Sequence, residues 1–90
     1  MSGCSRTLEI VNRRGLHARA SAKFVTVAVT LPAEVWVEKD GHKVTGTSIM
    51  GLMMLGAAMG DSITIYCDGD GCVESIDELA KLVENRFGED

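Results

Sequence analysis

The sequence predicts an α+β open-faced sandwich. Its four-stranded antiparallel sheet is covered on one face by three helices, in the order βαββαβα. Three observations predict it. Four short stretches alternate apolar and polar residues, the period of a half-buried strand. Three other stretches repeat apolar residues at helical spacing. All seven must fit in 90 residues, a single domain spanning 1–90, which is long enough for a thin two-layer core and no more.

TLEIV (7–11) sets Leu8 and Ile10 against Thr7 and Glu9 and reads as the first strand. Residues 12–16 form a basic loop that contains Gly15. From Ala18 the period changes. Ala18, Ala22, Val25 and Val29 fall on one helical stripe, which Phe24 and Ala28 widen, and Leu31-Pro32 ends the helix. Valine is a weak helix former, so packing must hold this helix. EVWVEK (34–39) alternates again, with Val35 and Val37 on one face and Trp36 on the other. Asp40-Gly41 is a strong two-residue hairpin signal, and HKVT (42–45) is the return strand. Ser48 then opens SIMGLMML, a short, partly buried helix in which Leu52 and Leu55 are core residues. SITIYCD (62–68) turns Ile63 and Ile65 inward, and DGDG (68–71) is a turn. Ile76, Leu79, Ala80, Val83 and Phe87 form the stripe of the last helix, with Gly88 as its stop. Asp77, four residues before Lys81, stands in the favourable order for a pair along it.

Composition narrows the function. A domain of this size has no room for a deep cleft with many catalytic groups, which favours a carrier or binding module. The net charge is -4, yet residues 1–30 hold five bases (Arg6, Arg13, Arg14, Arg19, Lys23) against the single acid Glu9. Nine acids gather in residues 61–90, at the far end of the chain. An acidic chain with one small basic patch is a poor general binder of nucleic acid. Five bases near one histidine could hold a phosphate; as scattered charges they would only be solvated. Cys4, Cys67 and Cys72 form no CxxC, and two distant histidines complete no metal constellation, so neither a disulfide framework nor a metal site is expected. Residues 1–6 are polar, without the pattern of a secretory leader, and no apolar run is long enough to span a membrane. A reduced, cytoplasmic protein is the expectation.

The most informative stretch is RGLHARASAKF (14–24). It puts His17 directly before the first helical residues. A helix start offers unpaired N–H groups and the positive end of the dipole, both of which favour an anion. Arg19, within the first turn, adds a forked, permanently charged donor. Imidazole is nucleophilic near neutral pH. The helix start can therefore seat a phosphoryl group carried on His17; the bland alternative is a histidine that only caps the helix or stands exposed. Ser48 is likewise a good N-cap, and capping alone is its bland reading. Met50, Met53 and Met54 suit an adaptable docking surface or ordinary core packing. His42 in the hairpin reads as a solvated turn residue, and Trp36 as an exposed aromatic or a partner contact. No general base, metal set or nucleotide loop marks a self-sufficient enzyme.

GLHARASAKF resembles the active-site segment of the HPr family, the histidine-containing phosphocarriers of the bacterial phosphotransferase system. TSIMGLMMLGAAMGDSITI resembles that family's second signature, a regulatory serine with its short helix and following strand. The likeness runs from about Thr7 to Phe87. It implies that His17 takes a phosphoryl group on Nδ1 from enzyme I, with phosphoenolpyruvate as the ultimate donor, and passes it to an enzyme IIA-type acceptor. It implies that Arg19 contacts that group. It also implies that Ser48 matches the serine modified by a dedicated kinase, or cleared by a phosphorylase, in some bacteria. Ile49, Met50 and Met53 match the apolar residues that partners dock against. A cytoplasmic monomer without cofactor, acting as a substrate of larger transferases rather than as an enzyme, is implied as well. The alternative is a regulatory binding module of the nitrogen-related or carbon-control branch, in which docking and Ser48 matter more than transfer. One position departs from the family: Ala20 stands where proline is usual. Alanine keeps an N–H and is an excellent helix former, so the helix should survive while the preceding loop gains freedom.

Overall fold

The computed structural model describes residues 3–89. Met1, Ser2 and Asp90, which enter the leader and charge readings above, lie outside that range. Four strands, β1 (Gly3–Glu9), β2 (Glu34–Lys39), β3 (His42–Thr45) and β4 (Ser62–Asp68), form one antiparallel sheet in the order β1-β4-β2-β3. Three helices, α1 (Ala18–Ala28), α2 (Ile49–Met54) and α3 (Cys72–Glu84), lie on the sheet in the predicted order. A short 3-10 turn follows at Arg86–Gly88.

Register explains which side chains face the helices. Leu8 pairs with Ile63, and Val37 lies between Ile65 and Val44, so one face of the sheet carries the aliphatic residues. Phe24 of α1, Leu52 of α2 and Ile76, Leu79 and Val83 of α3 close over that face and are fully buried. At about 25 cal/mol per Å² of apolar surface removed from water, such side chains contribute about 1.5–3 kcal/mol each. The other face carries Trp36 and Tyr66, with the Lys43 ammonium 5.6 Å and 4.2 Å from the two ring centres. Trp36 is half-buried, and its ring quadrupole attracts the nearby charge. The Asp40-Gly41 turn has both residues at positive φ, 52° and 83°, the geometry that matches strand twist in a tight hairpin.

Four expectations are corrected. The first strand runs 3–9 rather than 7–11, because its ladder ends where β4 ends, at Glu9 opposite Ser62. Ile10 stays buried beyond the ladder, its N–H bonded to the Asp61 carbonyl at 2.8 Å. The first helix ends at Ala28 and buries Ala20, Ser21, Phe24 and Ala28, whereas Val29 is 61% exposed. Alanine and valine mark a face weakly; the bulk of Phe24 decides which face turns inward. Phe87 is fully buried but lies outside α3, in the 3-10 turn at φ 54°, so it anchors the returning chain rather than the helix. Asp77 accepts a hydrogen bond from Arg6 of β1 at 2.7 Å, which ties α3 to the sheet instead of to its own Lys81.

Candidate phosphoryl-accepting site

The site begins with a constraint on the loop before α1. Gly15 has φ +64°, and a Cβ there would sit 2.2 Å from the Ala57 carbonyl oxygen and 2.9 Å from the Ala58 Cα. Only glycine can lie so close to another backbone in this conformation. The approach lets the Leu16 N–H donate to the Ala57 carbonyl at 2.9 Å, and Leu16 is buried. The segment after α2 therefore fixes the loop that carries His17.

His17 occupies the N-cap of α1 in an extended conformation, φ -74° and ψ -178°, and its side chain makes no capping bond. Its carbonyl accepts the first helical bond, from the Ser21 N–H at 2.9 Å. The N–H groups of residues 18–20 precede that bond and have no partner within the helix. Ala20 keeps its N–H where proline would have none, and its methyl group is fully buried. The buried Ser21 hydroxyl donates to the Leu16 carbonyl at 3.2 Å, which steadies the loop from the helix side.

The imidazole faces a group that the sequence placed at the far end of the chain. His17 Nε2 bonds to the Glu89 carboxylate oxygen Oε2, and both side chains are largely covered, 19% and 13% exposed. The other carboxylate oxygen accepts from Asn12 Nδ2 at 3.0 Å, and the same amide donates to the Gly15 carbonyl at 2.9 Å. Burial pushes the Glu89 carboxyl up, but hydrogen bonds from Asn12 and His17, with the charges of His17 and Lys23, outweigh it and hold the group below the usual carboxylate range. A carboxylate only accepts, so its Nε2 partner must be the N–H of the ring. Nδ1 then carries the lone pair of the neutral imidazole.

Beside this pair lies a hollow of about 350 Å³ lined by Arg13, Arg14, Arg19, Lys23, Gly88 and Glu89. His17 does not line it, but its partner Glu89 does. Four cations against one carboxylate give the hollow the charge that a phosphate requires. Arg19 is exposed there, free to turn its fork toward an incoming oxyanion. Lys23 Nζ donates to the Phe87 carbonyl at 2.7 Å and ties the returning chain to α1.

The second predicted site lies on α2. Ser48 is the N-cap of that helix, and its Oγ accepts from the Gly51 N–H at 2.9 Å. Leu52 and Leu55 are buried as expected, while Ile49, Met50, Met53 and Met54 are exposed, Met54 by 81%. The methionines are surface residues rather than core. α1 and α2 pack side by side, so this apolar patch and the His17 loop belong to one region of the surface. His42 is exposed in its hairpin.

This fold, with a histidine at a helix start beside a cluster of cations, is that of a small histidine phosphocarrier. Comparison with known proteins agrees. The sequence profile of the family described as "PTS HPr component phosphorylation site" matches residues 4–85. The phosphocarrier protein HPr of Neisseria meningitidis is 48% identical over 84 residues, covering 93% of this chain and 94% of its own. That of Cupriavidus necator is 44% identical over the same length and with the same coverage. The crystal structure of HPr-C-His from Thermoanaerobacter tengcongensis superposes with a TM-score of 0.91 at 44% identity, over 97% of this chain and 98% of that one. The chain belongs to the HPr family, the phosphocarriers of the bacterial phosphotransferase system.

Proposed function

We propose that the chain accepts a phosphoryl group from enzyme I on His17 Nδ1 and delivers it to an enzyme IIA-type protein. The observation that carries this reading is the Glu89–Nε2 contact, which leaves the lone pair of the ring on Nδ1. As the P–Nδ1 bond forms, the bond from phosphorus to its donor breaks. The ring becomes cationic, with its proton still on Nε2 beside a carboxylate. Arg19 offers two parallel donors to the oxygens of the moving group, and the helix start adds N–H groups. Ile49, Met50 and Met53 supply the apolar contact from which both partners must exclude water. Thioether side chains adapt to more than one partner, as a shuttle requires.

Ser48 regulates docking in this reading. A phosphate there adds about -1.5 to -2 charges at the start of α2, where the dipole tolerates them, yet at the edge of the patch that partners must bury. Transfer of label from phosphoenolpyruvate through purified enzyme I tests the main proposal. Wild type should take up acid-labile phosphate, and His17→Ala should take up none while keeping its circular dichroism. Label on His42, or equal labelling of His17→Ala, would overturn the assignment.

A further inference from the structure

Asn12 sits five residues before His17, and none of its side chain is exposed. A buried amide needs partners for its donors, and the two here are both oxygens: the Gly15 carbonyl and Glu89 Oε1. That pairing sets which end of the amide points toward Glu89. The second oxygen of the same carboxylate rests on His17 Nε2. Asn12, Glu89 and His17 thus form one continuous chain, across 77 residues of sequence.

Glu89 needs such a holder. The groups around it are cationic: Arg13 and Arg14 from the loop, and Arg19 and Lys23 from α1, all share the adjoining hollow with it. Any of them would compete with a neutral imidazole for the carboxylate, since a full charge attracts it more strongly than a ring N–H does. A buried amide that already occupies one carboxylate oxygen restricts the other to the ring.

Resting on the reading of His17 as the acceptor, we propose that Asn12 is a positioning residue for phosphoryl transfer: it holds Glu89 against Nε2, keeps the ring proton there, and so directs attack through Nδ1. With the proton on Nε2, the Nδ1 lone pair forms the bond to phosphorus as the donor bond breaks. In the reverse direction the P–Nδ1 bond breaks with its electron pair returning to Nδ1. The departing ring is then neutral imidazole, a far better leaving group than the imidazolate that would result had Nε2 lost its proton. The proton does not move in either step; the carboxylate only keeps it in place. Asn12 touches neither phosphorus nor the ring, and acts through Glu89.

Nitrogen NMR of the His17 ring in the isolated full chain, at a pH where the imidazole is neutral, reads the tautomer directly. Wild type should be predominantly the Nε2–H form. Asn12→Ala should give a mixture of both forms and a loss of about tenfold in kcat/KM for phosphorylation by enzyme I, because the competent tautomer is diluted and the carboxylate no longer steadies the cationic ring. Asn12→Ala also removes a bond to the Gly15 carbonyl, so Glu89→Gln is the companion: one amide oxygen cannot serve both Asn12 and Nε2. It should show the same mixture and a similar loss, and the double variant should lose little more than either single one. An unchanged tautomer ratio in Glu89→Gln, or losses that simply multiply in the double variant, would overturn the proposal. Failure of wild type to take phosphate, with the tautomer shifts as expected, would sink the acceptor reading and the proposal's role in transfer while leaving the Asn12–Glu89–His17 contact established.

Discussion

Replacing Gly15 with alanine should unseat the loop that carries His17. The new Cβ would lie 2.2 Å from the Ala57 carbonyl oxygen, and both neighbours are backbone, so no side chain can swing away to make room. The left-handed conformation at φ +64° costs an L-residue about 1–2 kcal/mol by itself. Lifting the loop breaks the 2.9 Å Leu16–Ala57 bond, about 0.5–1.5 kcal/mol. It also uncovers Leu16, worth about 1.5–3 kcal/mol when fully buried. The total, about 3–6.5 kcal/mol, is a large share of the 5–15 kcal/mol by which small domains are typically stable. Gly41→Ala is the control: it has φ +83°, but nothing lies within 4 Å of the added Cβ, so only the conformational cost of about 1–2 kcal/mol applies. Urea unfolding of the two variants beside wild type measures both. Gly15→Ala should fall well below Gly41→Ala in midpoint, and what remains folded should accept phosphate poorly. A Gly15→Ala protein within about 1 kcal/mol of Gly41→Ala would refute the close-approach argument.

Arg19→Ala should slow transfer from enzyme I by about tenfold or more, with little change in Tm, because a charged hydrogen bond of about 1.5–3 kcal/mol is made only to the phosphoryl group; parallel losses of rate and stability would make it a structural residue. Ser48→Ala should cost about 0.5–2 kcal/mol through loss of the cap on Gly51, measured by thermal unfolding. Ser48→Asp should instead raise the KM for enzyme I several-fold while circular dichroism stays near wild type; an unchanged KM with a collapsed Tm would leave the serine as a cap alone. The Glu89 carboxyl is held below its ordinary value of 4.5, so its stabilising contribution is fully present above that pH and is lost as pH falls through the lowered folded value. The stability gap between wild type and Glu89→Gln should therefore be constant near neutrality and close in acid. A gap that widened below pH 4.5 would reverse the sign of the argument.

The β2–β3 hairpin and β4 were legible to the residue because alternation and a two-residue turn act locally. The Ser48 cap and the burial of Leu52 and Leu55 were legible for the same reason. The inward face of α1 was not: valines at 25 and 29 carry the same apolar character as the residues that do turn inward, and only packing around Phe24 separates them. Phe87 kept its burial but lost its helix, since hydrophobicity marks depth and not backbone conformation. Of the proposed site, His17 and Arg19 come from one short motif of the sequence. Glu89 and Asn12 could not be found that way, because a contact between a loop near residue 12 and the chain beyond α3 depends on the whole fold bringing them together. The one hint was charge: a basic segment near the beginning and acids near the end invite an encounter without naming the pair.

Phosphate is expected to ride on Nδ1 of His17. Phosphorus and nitrogen NMR of the chain, labelled in its histidines and phosphorylated by enzyme I, tests it directly through the coupling between phosphorus and the ring nitrogen that bears it. Coupling to Nδ1 of His17, with the Nε2 proton retained, is the expected result. Coupling to Nε2, which would require the Glu89 contact to be broken before transfer, or a phosphoryl group on His42, would contradict it.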